Sequence, residues 1–255
     1  MRGSGQPVID IQGISAYYRD HRVLEDVSLR VFRGEIFVVV GESGCGKSTL
    51  LKCMTGLYRP DQGRVLIQDT DLISADDEAL LQVKRRFGVL FQSGALIGSM
   101  TLAENIALPL TEHTDLDPGF IDEIVRMKLR LVNLAGYEDA FPSELSGGMK
   151  KRAGIARALA LDPQILFLDE LSAGLDPVTS AGLDQLVKDI NAGMGTTMVI
   201  VSHELNSIMT IADRIIMLDK RARGIIAEGD PRKISENASD PRVHRFFNRI
   251  PPKGF

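Results

Sequence analysis

The segment Gly41-Glu-Ser-Gly-Cys-Gly-Lys47-Ser48 has the spacing GxxxxGK[ST] and lies between an apolar run ending at Val40 and another opening at Leu50. The chemistry this permits is phosphate binding. Gly41, Gly44 and Gly46 let the backbone turn with its N–H groups inward, so phosphate oxygens meet a nest of donors and a helix N-terminus behind it. Ser43 and Cys45 fill the variable positions of the loop, Cys45 as a small filler rather than a nucleophile. Lys47 offers a point charge to the β and γ phosphates, Ser48 a hydroxyl for Mg²⁺, and Thr49 a hydroxyl within reach of the α phosphate. The set implies ATP with Mg²⁺.

A second constellation is Ile165-Leu-Phe-Leu168 followed by Asp169 and Glu170, an apolar strand delivering two carboxylates to its C-terminal end. Ligands of open α/β sheets collect at that edge. Adjacent residues of an extended chain point to opposite sides, so the two acids can divide the work: Asp169 holds Mg²⁺ through water and Glu170 positions the attacking water. A third is Leu145-Ser146-Gly147-Gly148-Met149, which opens a helix. A hydroxyl and two glycines at a helix N-terminus make a second anion site, distinct from the first. One ATP has a single γ phosphate. Two phosphate-facing surfaces on one chain therefore suggest a head-to-tail homodimer closed by twofold symmetry, with each nucleotide between one subunit's loop and its partner's Ser146, Gly147 and Gly148.

The elements that must position these groups are short β-branched runs: Val8 to Ile11, Glu35 to Val40, Arg64 to Ile67, Ile165 to Leu168, Met198 to Ser202 and Ile215 to Asp219. Three of them are apolar almost throughout, as central parallel strands covered on both faces require. One helix is expected from Ser74, with Asp77 completing a capping box, to the Lys84-Arg-Arg86 cluster. Another follows Asp117-Pro118, with Ile121, Val125, Leu129 and Val132 on its apolar face. Strand signals thin out between Gln92 and Arg157, which reads as an α-helical subdomain inserted into an α/β core. The expected organisation is one nucleotide-binding domain over residues 7–229, with its α/β core at 7–91 and 158–229, its helical part at about 92–157, and a C-terminal tail at 230–255.

Leu145 to Met149 resembles the LSGGQ signature of the ABC ATPases, and the likeness extends from Val8 to about Gly229. It implies a P-loop NTPase fold with a mainly parallel sheet and an antiparallel β part at the N-terminal side. It also implies an aromatic that stacks on adenine, at Tyr18 or alternatively Tyr17; a Q-loop glutamine at Gln92 that touches Mg²⁺ or water; a D-loop over Ser172 to Asp176; and a switch histidine at His203. His21, His113 and His244 have no such support. Leu171 stands where the family has proline after the glutamate, which loosens that turn, and Met149 replaces the usual glutamine. The Lys150-Lys151-Arg152 cluster reads as a solvated face.

Phe91 to Asn105, the LSGGM signature and the tail Asp240 to Arg249 are similar to the ATPase of Mce-type lipid transporters, the Mla type above all. That likeness implies an integral membrane permease, a periplasmic Mce-domain lipid-binding protein and a small STAS-domain subunit as partners, on the cytoplasmic face of a bacterial inner membrane. The alternatives are an importer of a small polar solute and a regulatory ABC ATPase. Phe246-Phe247 is read as an apolar anchor, for a neighbouring subunit or for the domain's own surface.

Composition sets the outer bounds. The 255 residues carry a net charge of −4 with both signs interspersed, so no basic field points to nucleic acid. Two cysteines, at Cys45 and Cys53, match neither a redox pair nor a zinc knuckle and suit a reducing compartment. The polar, glycine-rich stretch Met1 to Pro7 is not a secretory signal and reads as a disordered lead-in. Apolar runs fall far short of the roughly 20 residues a membrane-spanning helix needs. About a hundred residues separate Lys47 from Ser146, too few for the coiled-coil insertion of a chromosome-maintenance ATPase, and one set of motifs argues against a two-cassette translation factor.

Overall fold

The computed structural model describes residues 5–19 and 21–250. The first four residues of the expected lead-in lie outside the described residues. The strands are β1 (Pro7–Tyr18), β2 (His21–Phe32), β3 (Ile36–Gly41), β4 (Gln62–Ile67), β5 (Thr70–Asp71), β6 (Phe87–Leu90), β7 (Ile165–Asp169), β8 (Thr197–Val201), β9 (Arg214–Asp219) and β10 (Gly224–Gly229). The helices are α1 (Lys47–Met54), α2 (Asp77–Lys84), α3 (Leu102–His113), α4 (Pro118–Leu131), α5 (Gly147–Ala158), α6 (Pro177–Met194), α7 (Leu205–Ile211), α8 (Pro231–Asn237) and α9 (Pro241–Phe247). Among the described residues no helix is long and apolar enough to cross a membrane.

Two sheets carry the molecule. One is antiparallel, in the order β2-β1-β4-β5; the other runs β10-β9-β3-β8-β7-β6, parallel throughout except for the antiparallel edge strand β10. The uninterrupted apolar character of β3, β7 and β8 follows from this arrangement. Val38, Val40, Leu166, Leu168, Met198 and Ile200 point into a core shared with the helices α3 to α7, whereas Phe37, Val39, Ile165, Phe167, Val199 and Val201 point into a second core beneath the antiparallel sheet and α1. Alternate side chains of one strand thus serve two cores, which leaves polar residues only at the strand ends, Thr197 of β8 and Asp169 of β7. The architecture is the α/β P-loop fold with an antiparallel β part that the sequence implied.

Several local expectations shift. The helix expected from Ser74 starts at Asp77, because the Asp76 carboxylate accepts from Ala79 N at 2.8 Å and caps the N-terminus. The helix after Asp117 forms as expected, with Ile121, Val125, Leu129 and Val132 all buried. β2 and β10 went unread in the sequence. In β2 the alternation of buried Leu24, Val27, Leu29 and Val31 slips at Asp26, whose φ of 49° marks an irregularity in the β1–β2 ladder. The tail also folds: α8 and α9 each begin on an aspartate cap, Asp230 and Asp240, followed by proline.

Candidate active site

Strand register brings the motifs to one edge. Val39 pairs with Val201 and Val201 with Asp169, while Leu90 pairs with Leu168. The residues just beyond these pairs, Gly41, His203, Glu170 and Gln92, therefore emerge side by side at the C-terminal end of the parallel sheet. Gly41 ends β3, and Gln92, Glu170 and His203 follow β6, β7 and β8, yet all four line one cavity of about 740 Å³ with Tyr18, Ser43, Gly44, Gly46, Lys47, Ser48 and Thr49.

The loop after β3 needs glycine for packing reasons at Gly41. A Cβ there, at φ 144°, would stand 2.4 Å from the Leu218 carbonyl oxygen and 2.7 Å from Cys45 Sγ. Gly46 caps α1 in the left-handed region, with a φ of 105°. Lys47 is buried, and its ammonium donates to the Gly41 carbonyl at 2.8 Å and the Glu42 carbonyl at 3.0 Å. Two of its three donors thus brace the loop, leaving one for a ligand. Cys45 does not line the cavity: its side chain is buried, which pushes the thiol pKa up and fits the filler role. What Cys45 can offer a ligand is its backbone N–H, held here 3.3 Å from the Glu42 carbonyl.

Glu170 and His203 meet directly, with His203 Nδ1 2.7 Å from Glu170 Oε2. Glu170 adopts a left-handed backbone, φ 50°, while its N–H donates to the Val201 carbonyl at 3.0 Å. A residue preceding proline is held to extended conformations. With Leu171 next in the chain that restriction is absent, and Leu171 is itself buried in the helical-side core. Asp169, behind Glu170, has a buried Oδ1 without a hydrogen-bond partner. Burial, seconded by the Glu170 charge, raises its carboxyl pKa, against the pull of Lys151, Lys47 and Lys52. Asp169 is not among the residues lining the cavity, whereas the exposed Ser48 and Gln92 are; with the unpartnered Asp169 Oδ1 they make an all-oxygen donor set of the kind that suits a hard divalent cation.

Tyr18, rather than Tyr17, faces the cavity and packs against Tyr58 with ring centroids 5.2 Å apart. Tyr17 lies instead beneath the Arg22 guanidinium, 4.9 Å from its ring centre. Ser146, Gly147 and Gly148 are not among the residues lining the cavity. Ser146 caps α5, accepting from Met149 N at 3.3 Å, and it and Gly147 are exposed. The D-loop ends in a second cap, where Asp176 accepts from Val178 N and Thr179 N.

A dedicated ABC transporter profile matches residues 24–173, which span the phosphate loop, the capped helix α5 and the carboxylate pair. The chain belongs to the ABC transporter family. The probable ribonucleotide transport ATP-binding protein mkl of Mycobacterium leprae is 46% identical over 96% of this chain and 71% of its own length. The methionine import ATP-binding protein MetN of Brucella abortus is 39% identical over 97% of this chain and 66% of its own. Among solved structures, the ATP-binding cassette MJ0796, a dimer in a post-hydrolysis state bound to ADP and phosphate, superposes with a TM-score of 0.80 at 30% identity, covering 87% of this chain and 98% of that one. This chain is thus the ATP-binding, ATP-hydrolysing subunit of an ABC transporter.

Two features of the ABC subunit's site escaped the sequence reading. Phe246 of α9 reaches the wall of the nucleotide cavity, and α9 is tied down by Arg242, which forks to Asp240 and donates to Asp219 at 2.8 Å. The tail motif was read as an anchor for a neighbouring subunit or for the domain's own surface, and Phe246 and Phe247 pack on the domain itself, a contact whose place beside the cavity the sequence did not indicate. The other feature corrects the solvated-face reading of Lys150 to Arg152: Lys151 is 6% exposed and donates to the Gln92 and Glu170 carbonyls. No pattern in the sequence separates Lys151 from its half-buried neighbours Lys150 and Arg152.

Proposed function

We propose that hydrolysis is carried by Glu170, which positions the attacking water with its carboxylate oriented by His203, while Lys47 and the Gly41–Thr49 backbone hold the phosphates and Tyr18 stacks on the adenine. The observation that carries this reading is the 2.7 Å contact between His203 and Glu170 at the rim of the cavity lined by the phosphate loop. Ser48 and Gln92 directly, and Asp169 through water, would hold Mg²⁺. The ion supplies neutralisation of the charge that develops on the phosphates. Glu170 holds the water in line with the γ phosphate and accepts its proton, and His203 keeps the carboxylate turned toward that water. Ser146, Gly147 and Gly148 lie apart from this cavity, and we read them as completing the site of a second copy in a head-to-tail homodimer.

The domain reading is a single nucleotide-binding unit over 7–229 with a helical part at 92–157 that receives an integral permease, followed by the tail. For cargo, the Phe91–Asn105 stretch, the LSGGM signature and the tail favour phospholipid, moved with an Mce-domain protein and a STAS-domain subunit from the cytoplasmic face of a bacterial inner membrane. The polar-solute alternative is favoured by the names of the relatives, a methionine importer and a probable ribonucleotide transporter. The test is purification of the chain from its native membrane with identification of what accompanies it. Phospholipid and an Mce-domain protein support the lipid reading, whereas a solute-binding protein with its permease ends it.

A further inference from the structure

The signature helix α5 is packed against the catalytic edge more tightly than its exposed N-terminus suggests. A Cβ on Gly154 would stand 2.4 Å from Leu90 Cδ1 and 3.1 Å from the Gly94 carbonyl oxygen, so the helix touches the end of β6 and the loop after it. Arg157, one turn further on, donates to the Ala95 carbonyl at 2.7 Å. Lys151 sits on this contact face, with its ammonium between the Gln92 carbonyl and, at 2.8 Å, the Glu170 carbonyl. Burial lowers its pKa while the charges of Asp169 and Glu170 oppose that shift. An ammonium so enclosed stays only because its donors are met.

Glu170 is the backbone that needs such a donor. It is a non-glycine residue in the left-handed region, followed by Leu171 where proline would have restricted it. One side of the residue is held by its own N–H on the Val201 carbonyl, and the other by Lys151 on its carbonyl. We propose that Lys151 is a positioning residue for ATP hydrolysis: its ammonium holds the left-handed Glu170 peptide, a conformation that a following proline would disfavour, so that the carboxylate is aimed and tied to the Gln92 loop. The proposal rests on the reading of Glu170 as the water-positioning carboxylate. Lys151 touches no reacting atom. It acts on the orientation of Glu170, and because it rides on α5 it makes that orientation depend on where the signature helix stands.

The experiment compares Lys151→Met, Lys151→Arg, Glu170→Gln and the Lys151→Met/Glu170→Gln pair in the full chain, as purified with its membrane partner. It measures kcat and KM for ATP, affinity for a fluorescent ATP analogue, and the thermal midpoint. Lys151→Met is expected to lower kcat about tenfold or more with KM and affinity within about twofold of wild type, because no phosphate donor is lost. Lys151→Arg recovers part of that loss. Adding Lys151→Met to Glu170→Gln costs little further, since the lysine acts through the glutamate. Should Lys151→Met fail to fold, Lys151→Leu, which likewise removes the donor, carries the same comparison. Wild-type kcat in a folded Lys151→Met or Lys151→Leu chain overturns the proposal. So does a loss that appears equally in kcat, KM and the thermal midpoint, or one that multiplies with Glu170→Gln. The two readings fail separately: a slow Glu170→Gln beside a normal Lys151→Met rejects only the lysine, whereas a fully active Glu170→Gln rejects the glutamate assignment and the lysine's role with it.

Discussion

Replacing Glu170 by glutamine removes one charge and almost no volume, which makes it the sharpest probe of the site. The glutamate side chain is 13% exposed and touches His203 Nδ1 at 2.7 Å, so the amide fits the same space and can still meet the imidazole. What it loses is the ability to accept a proton from water. Acid-base positioning contributes about a hundred- to ten-thousandfold in rate, equivalent to about 2.7–5.5 kcal/mol of transition-state stabilisation at about 1.36 kcal/mol per tenfold. The expected outcome is a kcat reduced within that range, with ATP binding intact, because Lys47 and the loop that braces it are untouched. Phosphate release under saturating Mg-ATP, alongside titration with a fluorescent ATP analogue, reads the two quantities separately. His203→Ala is expected to lower kcat by a smaller factor, and the double variant to be no slower than Glu170→Gln alone, because the histidine contact runs through the carboxylate. Turnover of Glu170→Gln at the wild-type rate refutes the assignment of Glu170. Losses that multiply in the double variant refute the dependence of His203 on it.

Gly41→Ala should lose about 1–3 kcal/mol of stability and most nucleotide affinity, since its Cβ would lie 2.4 Å from the Leu218 carbonyl oxygen at a φ of 144°. Urea denaturation and analogue binding check this, and an alanine chain of unchanged stability contradicts the packing argument. A chain defective at Lys47 mixed with one defective at Ser146 should regain ATPase activity through one intact composite site. A verified heterodimer no more active than either parent speaks against shared sites. Asp184 is held above its ordinary pKa by burial, against the Ser207 hydroxyl and Lys188. Its protonated form therefore favours folding, and that contribution is lost as pH rises from the unfolded value of about 3.9 through the folded one. Asp184→Asn should accordingly raise the urea midpoint at pH 7, with the gain shrinking as pH falls toward about 4; a gain independent of pH excludes this cause.

The sequence by itself determined what depends on neighbours along the chain. Gly41 to Thr49 declares a phosphate loop because the backbone that folds around phosphate is continuous there, with its glycines at positions where a Cβ or a negative φ does not fit. β3, β7 and β8 were legible because burial on both faces leaves no polar position between their ends to confuse the reading. β2 was not, since the irregularity at Asp26 breaks its alternation, and the cap that moves α2 from Ser74 to Asp77 is a competition between two nearby side chains that spacing alone does not rank. Only the tertiary structure decided which tyrosine faces the cavity, that Phe246 reaches it from the tail, and that His203 meets Glu170. Lys151 is the clearest case. Its type and its charged neighbours say surface, yet the carbonyls that receive it come from residues 59 and 19 positions away, and burial of a charge is set by such distant partners rather than by the residues beside it.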